Sequence, residues 1–317
     1  MSDRDGTPFD PGYGIAPPGY RLPAGTRPGR VRLQVADLDR SLAFYEQVLG
    51  FRVIDRARRR ASLGSTGGAG SLVELVERPG ASPVPPRGRL GLYHFAVLLP
   101  DRATLGRFVR HLMELGARAG TADHLVSEAL YLQDPDGLGI EVYADRPRSE
   151  WRHRDRQLVM ATEPLDLADL VRAAGDAPWV GLPPGTTIGH LHLHVGDLER
   201  AAAFYHVAIG LDLVVWSYPG ALFLSAGGYH HHLGVNTWAA GAPPAGEGDA
   251  RLLEWELRVP TADDEDRALA SVAAAGYVVE RDDDGGIVRD PWGTALRLRG
   301  PGPLSVPDPG VDLLRYP

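Results

Sequence analysis

The chain has 317 residues, of which 44% are hydrophobic and 23% are charged. This composition is typical of a globular protein, and the length is sufficient for two domains. The formal net charge is −8, so a polyanionic partner such as nucleic acid is not expected. Because the chain contains no cysteine, disulfides, thiolate metal ligands and thiol nucleophiles are excluded.

The sequence shows no sign of export or of membrane insertion. The segment MSDRDGTPFDPGYG is polar and lacks the basic and then apolar order of a secretion signal. No apolar run approaches the roughly 20 residues that span a bilayer. We therefore expect a cytoplasmic protein with no membrane segment.

The first predicted unit begins with PGRVRLQVADLDRSLAFY, residues 28–45. Its alternating apolar residues predict a strand, and Asp37 is a suitable N-cap for the helix that follows. Gly50 is a suitable C-terminal stop for that helix. The second unit, LGLYHFAVLLPDRATLGRFVRHLMELGARA at 90–119, again predicts a strand and a helix. Further strands follow it and end in DPDGLGIEVY, residues 134–143.

Both units recur later in the chain at an offset of 160 residues. IGHLHLHVGDLERAAAFY at 188–205 repeats the first, and RLLEWELRVPTADDEDRALASVAAAGYVV at 251–279 repeats the second. Repeats of this kind indicate the architecture more directly than local propensity does. We predict an α+β fold of four βαβββ modules that form two curled sheets of paired modules. The expected segments are an N-terminal extension (1–27), a first two-module domain (28–147), a partly helical connector (148–186), a second two-module domain (187–300) and a C-terminal tail (301–317).

The chain resembles the vicinal oxygen chelate superfamily, which comprises glyoxalases, bleomycin resistance proteins and extradiol dioxygenases. The resemblance lies in the strand–Asp-Leu–helix units with FY and LG, and in the closing DP.G..IE pattern. GLYHFAVLLP, DHLVSEALYLQDPDGLGIEVYADRP and GGYHHHLGVNTW are more specific and are similar to the catechol 2,3-dioxygenase branch. The resemblance covers roughly residues 28–300. It implies that a divalent metal lies in the hollow of a sheet.

In that superfamily the metal ligands are a His at the start of one module, a His at the start of its partner, and a Glu that ends the partner. Neither half of the chain has the full set. At these positions the first half has Arg30, His94 and Glu141. The second half has His190, Glu254 and Arg297. The two inner modules together supply His94, His190 and Glu141. Two imidazoles and one carboxylate suit non-haem Fe(II), and Mn(II) suits the same ligands. We therefore expect the inner modules to share one sheet.

The resemblance also implies catalytic residues beside the metal. Tyr131 stands ten residues before Glu141, which is the spacing of the active-site tyrosine in the branch, and His124 precedes it. His232 matches the proton-transfer histidine best, with His231 as the next candidate. His192 and His194 are interpreted as neighbours of the site rather than ligands. The residues suggested for the ring pocket are Trp238, Phe95 and Tyr93.

The outer modules carry charges at the equivalent positions, namely Arg30, Glu74, Glu254 and Arg297. A cation cannot bind a divalent metal, and buried charges need partners. We predict that this second hollow is closed by ion pairs and holds no metal.

These residues imply an Fe(II)-dependent extradiol dioxygenase that acts on a small catechol- or hydroquinone-type aromatic with O₂. Two alternatives remain open at this point. If the modules pair within each half, His94, Glu141 and Glu74 form a glyoxalase-type site with Arg30 as an anion-binding group. The other alternative is a resistance-type protein that binds aromatic drugs without turnover. The sequence leaves the oligomeric state open, including a homo-oligomer.

Overall fold

The computed structural model describes residues 12–68 and 70–301. The parts of the predicted N-terminal extension at 1–11 and of the predicted tail at 302–317 lie outside the described residues. The rest of the chain forms four βαβββ modules joined by a connector. Mixed α+β architecture with two eight-stranded sheets confirms the predicted fold class.

The modules follow the order expected from the repeat. The first contains β1 (Arg27–Val35), α1 (Leu38–Gln47), β2 (Arg52–Ala57), β3 (Arg60–Gly64) and β4 (Val73–Glu77). The second contains β5 (Gly91–Leu98), α2 (Arg102–Glu114), β6 (Gly120–Asp123), β7 (Ser127–Gln133) and β8 (Gly139–Asp145). The connector contains a short 3₁₀ turn (Arg148–Glu150), the hairpin β9 (His153–Arg154) and β10 (Gln157–Leu158), and α3 (Leu167–Ala173).

The last two modules repeat this plan. The third contains β11 (Thr187–His194), α4 (Leu198–Ala202), β12 (Asp212–Val215), β13 (Ala221–Ser225) and β14 (Leu233–Asn236). The fourth contains β15 (Arg251–Arg258), α5 (Ala262–Ala274), β16 (Val279–Asp282), β17 (Gly285–Arg289) and β18 (Ala295–Arg299). Helix α4 continues into a π-helical turn at Ala203–Ala208.

The first helix of each half begins at its predicted N-cap and is followed by its predicted glycine. The carboxylates of Asp37 and Asp197 accept hydrogen bonds from the backbone N–H three residues further on, at 3.0 and 2.7 Å. Such bonds satisfy donors that the first turn of a helix leaves unpaired. Gly50 and Gly210 end the helical segments with φ angles of +78° and +95°, a region that glycine adopts without a steric penalty.

Each sheet combines modules from both halves of the chain. The inner sheet has the strand order β12-β13-β14-β11-β5-β8-β7-β6, and the outer sheet has the order β16-β17-β18-β15-β1-β4-β3-β2. The modules join through antiparallel pairs, β11 with β5 and β1 with β15. The predicted pairing of the inner modules is therefore confirmed, and the alternative pairing within each half is wrong. The division into domains at 28–147 and 187–300 stays a prediction.

One hydrophobic core contacts both sheets. It includes Leu33 of β1, Val97 of β5, Leu193 of β11 and Leu257 of β15, all almost fully buried. Because successive strand residues point to opposite faces, their neighbours in the chain point away from this core and into the hollows of the sheets. The core thereby fixes which side chains face each hollow.

Candidate metal centre and active site

The three predicted ligand residues lie on three adjacent strands of the inner sheet. His190 of β11 is in register with Ala96 of β5, and Ala96 is in register with Glu141 of β8. His94 lies two residues before Ala96 and therefore points to the same face. The small side chain of Ala96 leaves the space between the two histidines and the glutamate open.

A glycine next to His190 shapes the strand at this point. The pairing of β11 with β5 shifts register between Ile188 and His190, so Gly189 lies at a bulge. A Cβ atom at Gly189 would lie 1.8 Å from the hydroxyl oxygen of Tyr143. Only glycine lets the buried Tyr143 ring pack against the His190 ring, whose centroid is 4.9 Å away.

The ligand atoms of His94, Glu141 and His190 all lie within 4.8 Å of one another. The Nε2 atoms of His94 and His190 are 3.0 and 3.2 Å from the same oxygen, Glu141 Oε2. All three side chains are buried, with 4%, 2% and 1% of their residue surface exposed for His94, Glu141 and His190. Among the residues that the structure describes, this is the one such His/Asp/Glu group.

The hydrogen bonding of this group is incomplete. Both ring nitrogens of His94 and the Nδ1 atom of His190 lack a hydrogen-bond partner, although His94 Nε2 is close to Glu141. Unpaired buried polar atoms are costly, so their presence calls for a physical reason. A cation between the three side chains would satisfy the nitrogen lone pairs and the buried carboxylate together.

The protonation states fit metal binding. Burial lowers the pKa of His94 and of His190, more than the attraction of Glu141 raises it, so both imidazoles are neutral at pH 7. Burial alone would raise the pKa of Glu141, but His190 and His94 lower it well below its usual value through the charge that they carry when protonated and through their hydrogen bonds. Neutral imidazoles and an ionised carboxylate are the forms that bind a metal. The residues present therefore fit a divalent ion with open coordination positions.

Two further predicted residues, His124 and Tyr131, lie beside the group and contact each other. His124 Nε2 is 2.6 Å from the Tyr131 hydroxyl, and His124 Nδ1 is 2.7 Å from the carbonyl oxygen of Ala161. A carbonyl only accepts hydrogen bonds, so Nδ1 carries the proton and Nε2 accepts one from Tyr131. The Tyr131 ring lies 5.5 Å from the His94 ring, and burial raises the pKa of its hydroxyl well above 10.

The structure places His231, and not His232, in the cavity beside the metal group. The His231 ring centroid is 4.1 Å from that of His190, and His231 lines the cavity. His232 is turned away: its Nδ1 accepts a hydrogen bond from the backbone of Ala226, and its ring stacks on Tyr229 at 4.9 Å. The cavity position predicted for His232 is thus occupied by the next candidate. Burial, reinforced by His230, lowers the pKa of His232 to about 3.

A chain of hydrogen bonds orients the His231 ring. Asp145 Oδ1 is 2.9 Å from His230 Nε2, and His230 Nδ1 is 2.8 Å from His231 Nδ1. Because the carboxylate accepts, a neutral His230 has its proton on Nε2 and accepts at Nδ1 from His231. His231 therefore carries its proton on Nδ1 and is left with an acceptor lone pair at Nε2. Burial lowers the pKa of His231 well below 6.5, so the imidazole is neutral at pH 7.

The cavity has a volume of about 280 Å³ and a mainly aromatic wall. Tyr93 and Trp238 line it as predicted, together with Tyr218 and Phe223. Phe95 does not, because its parity on β5 is opposite to that of His94 and its ring lies in the hydrophobic core. The suggestion that Phe95 lines the ring pocket is wrong.

His192 and His194 flank the cavity, as the sequence indicated. His192 lines it, and its buried Nε2 has no hydrogen-bond partner. His194 Nδ1 lies 2.7 Å from Asn236 Oδ1, an oxygen that also accepts the backbone N–H of Trp238. Through Asn236, His194 helps to position the Trp238 side of the cavity.

The connector supplies a wall that sequence reasoning missed. Met160, Ala161 and Thr162 line the cavity, and the Ala161 carbonyl fixes the tautomer of His124. No local pattern identifies these residues, since they have no regular secondary structure and reach the site through long-range packing. Only the three-dimensional arrangement reveals this contribution.

Comparison with known proteins places the chain in a family. The model of the Glyoxalase/Bleomycin resistance protein/Dioxygenase superfamily matches residues 27–142 and 187–298. The chain belongs to this superfamily. It is 46% identical over 270 residues to a protein named catechol-2,3-dioxygenase from Bacillus subtilis (strain 168), and the alignment covers 84% of this chain and 94% of that protein. The resemblance inferred from the sequence is therefore confirmed.

Solved structures agree on the fold of this superfamily. A structure from Bacillus subtilis subsp. subtilis str. 168, provisionally assigned as a dioxygenase, aligns with a TM-score of 0.61 at 16% identity and covers 89% of this chain and 87% of that chain. Glyoxalase I from Zea mays, in its V278E form, aligns with a TM-score of 0.53 at 18% identity over 87% of this chain and 92% of that chain. At these identities the likeness concerns the fold alone. None of the helices in the described residues is long and apolar enough to cross a membrane.

The outer hollow of this superfamily member contains ion pairs where the inner hollow has the histidines and the glutamate. Arg30 lies 3.1 Å from Glu74 and 3.2 Å from Glu256, and Arg297 makes two hydrogen bonds to Glu254 at 2.9 and 3.0 Å. The predicted ion pairs are confirmed. Glu74, the additional ligand of the glyoxalase-type alternative, belongs to this outer network and not to the group around His94.

Proposed function

We propose that the protein is an Fe(II)-dependent extradiol dioxygenase that cleaves the ring of a catechol- or hydroquinone-type aromatic. The buried group of His94, Glu141 and His190 carries the proposal, since its donors fit non-haem Fe(II) and Mn(II) alike. The 46% identity to a protein named catechol-2,3-dioxygenase supports the reaction class. The residues around the group support it further, because they offer an acid, a base and an aromatic pocket.

The metal and the aromatic cavity have different roles in the proposed reaction. When bound, the iron supplies a redox-active Lewis acid with coordination positions that both the substrate and O₂ can reach. Tyr93, Trp238 and Phe223 line the cavity, where they hold the substrate ring and exclude water from it. The cavity volume of about 280 Å³ fits a single substituted ring.

Proton transfer is assigned to two groups on opposite sides of the cavity. The Nε2 atom of His231 accepts a proton from a substrate hydroxyl, while Asp145 and His230 keep the ring in the required tautomer. On the other side, the Tyr131 hydroxyl and His124 hold a proton between them at 2.6 Å. If the Tyr131 hydroxyl turns away from His124 Nε2, it can donate that proton to an oxygen atom of the reacting molecules.

Oxygen consumption tests the proposal. The purified protein, reconstituted anaerobically with Fe(II), is expected to take up O₂ with catechol or a substituted catechol and to form a yellow ring-fission product. His190→Ala is expected to lose both metal and activity, whereas His153→Ala, at an exposed histidine of β9, retains both. Conversion of a diol without O₂ uptake, or full activity of His190→Ala, would contradict the proposal.

A further inference from the structure

A second and larger cavity adjoins the one that contains the metal group. Its volume is about 580 Å³, and Tyr93, His94 and Tyr131 line both cavities. One side is formed by the segment between β4 and β5, from Val84 to Arg89. Because these three side chains border both cavities, a molecule that binds at His94 has the larger cavity directly beside it. An unsubstituted catechol would leave that space to water.

Arginines dominate the charge of this second cavity. Arg87, Arg89 and Arg118 line it, and no described residue in its lining is an aspartate or glutamate. Asp249 neutralises Arg89 through two hydrogen bonds of 2.7 and 3.1 Å. Arg87 and Arg118 make no ion pair within the described part of the chain. Two solvent-exposed arginines without an ion-pair partner among the described residues therefore line a cavity of a protein whose net charge is −8.

Arg87 has an unfavourable backbone conformation. Its φ angle is +53°, in a turn closed by the hydrogen bond from Gly88 N to Pro85 O at 2.9 Å. A residue with a side chain costs about 1 kcal/mol or more in this left-handed region, which glycine adopts freely. Strain of this kind persists where a side chain is held in place for another reason.

The turn that carries Arg87 is anchored at both ends. Val84 N donates to Asp136 O at 2.8 Å, and Leu90 N donates to Pro243 O at 2.9 Å. The charge of Arg87 reaches the cavity wall, since it opposes the rise in the pKa of Tyr93 that burial causes. A turn anchored at both ends thus holds Arg87 in the lining of the cavity that Tyr93 also lines.

We propose that Arg87 and Arg118 form an anion-binding subsite for the substrate, and that the preferred substrate is a catechol bearing a carboxylate on its ring or on a short side chain. The inference rests on the proposed function. Guanidinium groups bind carboxylates with strong, charge-assisted hydrogen bonds, and the larger cavity provides the space that the substituent needs. Arg87 and Arg118 then determine specificity, while the metal group performs the reaction.

Matched pairs of substrates test the subsite. The probes are 3,4-dihydroxybenzoate and 3,4-dihydroxyphenylacetate, each compared with its methyl ester, which has the same ring and no charge. For the Fe(II)-loaded protein, kcat/KM is expected to be about 10-fold or more higher for an acid than for its ester. Arg118→Gln and Arg87→Gly are each expected to remove most of that preference while kcat/KM for the esters stays within about two-fold. Arg58→Gln, at an exposed arginine in the turn between β2 and β3, is the matched control and retains the preference.

Stability gives a second readout for Arg87. Because glycine suits a φ angle of +53°, Arg87→Gly is expected to unfold at the same or a higher temperature than the wild type. A loss of acid preference in a variant that is no less stable would show that the arginine is kept for binding. An unchanged preference in both variants would overturn the proposal.

Direct binding separates the subsite from the proposed function. Calorimetric titration of the metal-free protein measures the affinity for each acid and its ester without turnover. If the esters and catechol are cleaved but the acids have no advantage in kcat/KM or in Kd, the subsite is wrong and the dioxygenase proposal stands. If no diol is cleaved and the acids still bind more tightly than the esters in an Arg87- and Arg118-dependent manner, the dioxygenase proposal is wrong and the subsite stands.

Discussion

The two sheets are built from the same repeat, yet within the described residues only the inner one brings together a His/Glu group that could hold a metal ion. The pairing of β11 with β14 matches that of β1 with β4 at the offset of 160, since Leu191 pairs with Leu233 and Val31 pairs with Val73. The backbone frame of the two hollows is therefore equivalent. What differs is the chemistry of the side chains that the frame holds.

Because the strand pairing is equivalent, the residues of the two hollows can be compared position by position. The inner residues His190, His94, Glu141 and Ala96 correspond in the outer sheet to Arg30, Glu254, Arg297 and Glu256. Two neutral ligands and a small residue are replaced by charges, and the outer carboxylates are bound by guanidinium groups instead of a metal. One frame thus supports ion pairs between buried charges in the outer hollow and, in the inner hollow, the group proposed to bind a metal ion.

The largest expected effect comes from alanine substitution at equivalent positions of the two hollows. His190→Ala removes a ligand from the inner hollow and is expected to weaken metal binding by at least about 100-fold, more than the loss of a residue that only supports a ligand. Arg30→Ala, at the corresponding outer position, is expected to retain the metal. Metal content after dialysis, measured for both variants, checks this. Equal losses would contradict the difference between the hollows.

Separate substitutions of His231 and His232 compare a histidine that lines the cavity with a neighbouring histidine that does not. His231→Gln is expected to lower kcat by about 10²- to 10⁴-fold with the metal retained, since it removes the proposed base. His232→Gln is expected to lower thermal stability but leave kcat of the folded protein within a few-fold. Steady-state oxygen uptake at saturating substrate measures both. A larger loss of kcat in His232→Gln would restore the role that the sequence suggested for it.

Removal of one partner from the outer network tests how that hollow is stabilised. Arg297→Met leaves the buried carboxylate of Glu254 without its two hydrogen bonds, so the free energy of unfolding is expected to fall by about 3 kcal/mol. The double variant Glu254→Gln with Arg297→Met is expected to recover part of this loss, because no buried charge is left unpaired. Urea unfolding of the metal-free proteins measures both. An unchanged stability of Arg297→Met would show that the ion pair is not structural.

The last prediction concerns the pH dependence of stability, whose change over the measured range of pH 7 to 5 is the smallest of the expected effects. A buried histidine whose pKa is lowered stays neutral in the folded protein while its unfolded counterpart takes up a proton below about pH 6.5, so acid favours unfolding. For His232, with a folded-state pKa of about 3, the contribution to stability is fully present above pH 6.5 and is lost progressively as the pH falls from 6.5 towards 3. His232→Gln is expected to show a shallower fall than the wild type. Urea unfolding at pH 7, 6 and 5 measures the slope, and identical slopes would contradict the assignment.

The sequence predicted the sheets through its internal repeat, and it predicted the metal group through the resemblance to the superfamily, which implies the ligand positions. The repeat at an offset of 160 fixed the modules, and strand alternation fixed the shared face of His190, His192 and His194. The incomplete ligand set of each half then required the inner modules to pair. Each half lacks the ligands that the other half supplies, and this observation led to the prediction that the inner modules pair.

The parts that could not be predicted depend on irregular backbone. His231 and His232 precede β14 in a loop, so strand alternation does not decide which of them faces the cavity. Met160 and Ala161 reach the cavity from the connector, and no pattern in their own segment indicates it. Arg87 acquires its position from a turn whose left-handed φ angle is unusual for arginine.

The position of a bound metal tests the central claim most directly. Crystals of the protein grown with Mn(II) and measured at the manganese absorption edge give an anomalous peak wherever the ion binds. The account predicts one ion per chain, in direct contact with the Nε2 atoms of His94 and His190 and a carboxylate oxygen of Glu141. A peak in the outer hollow, or occupancy of the inner hollow without contact to His190, would contradict it.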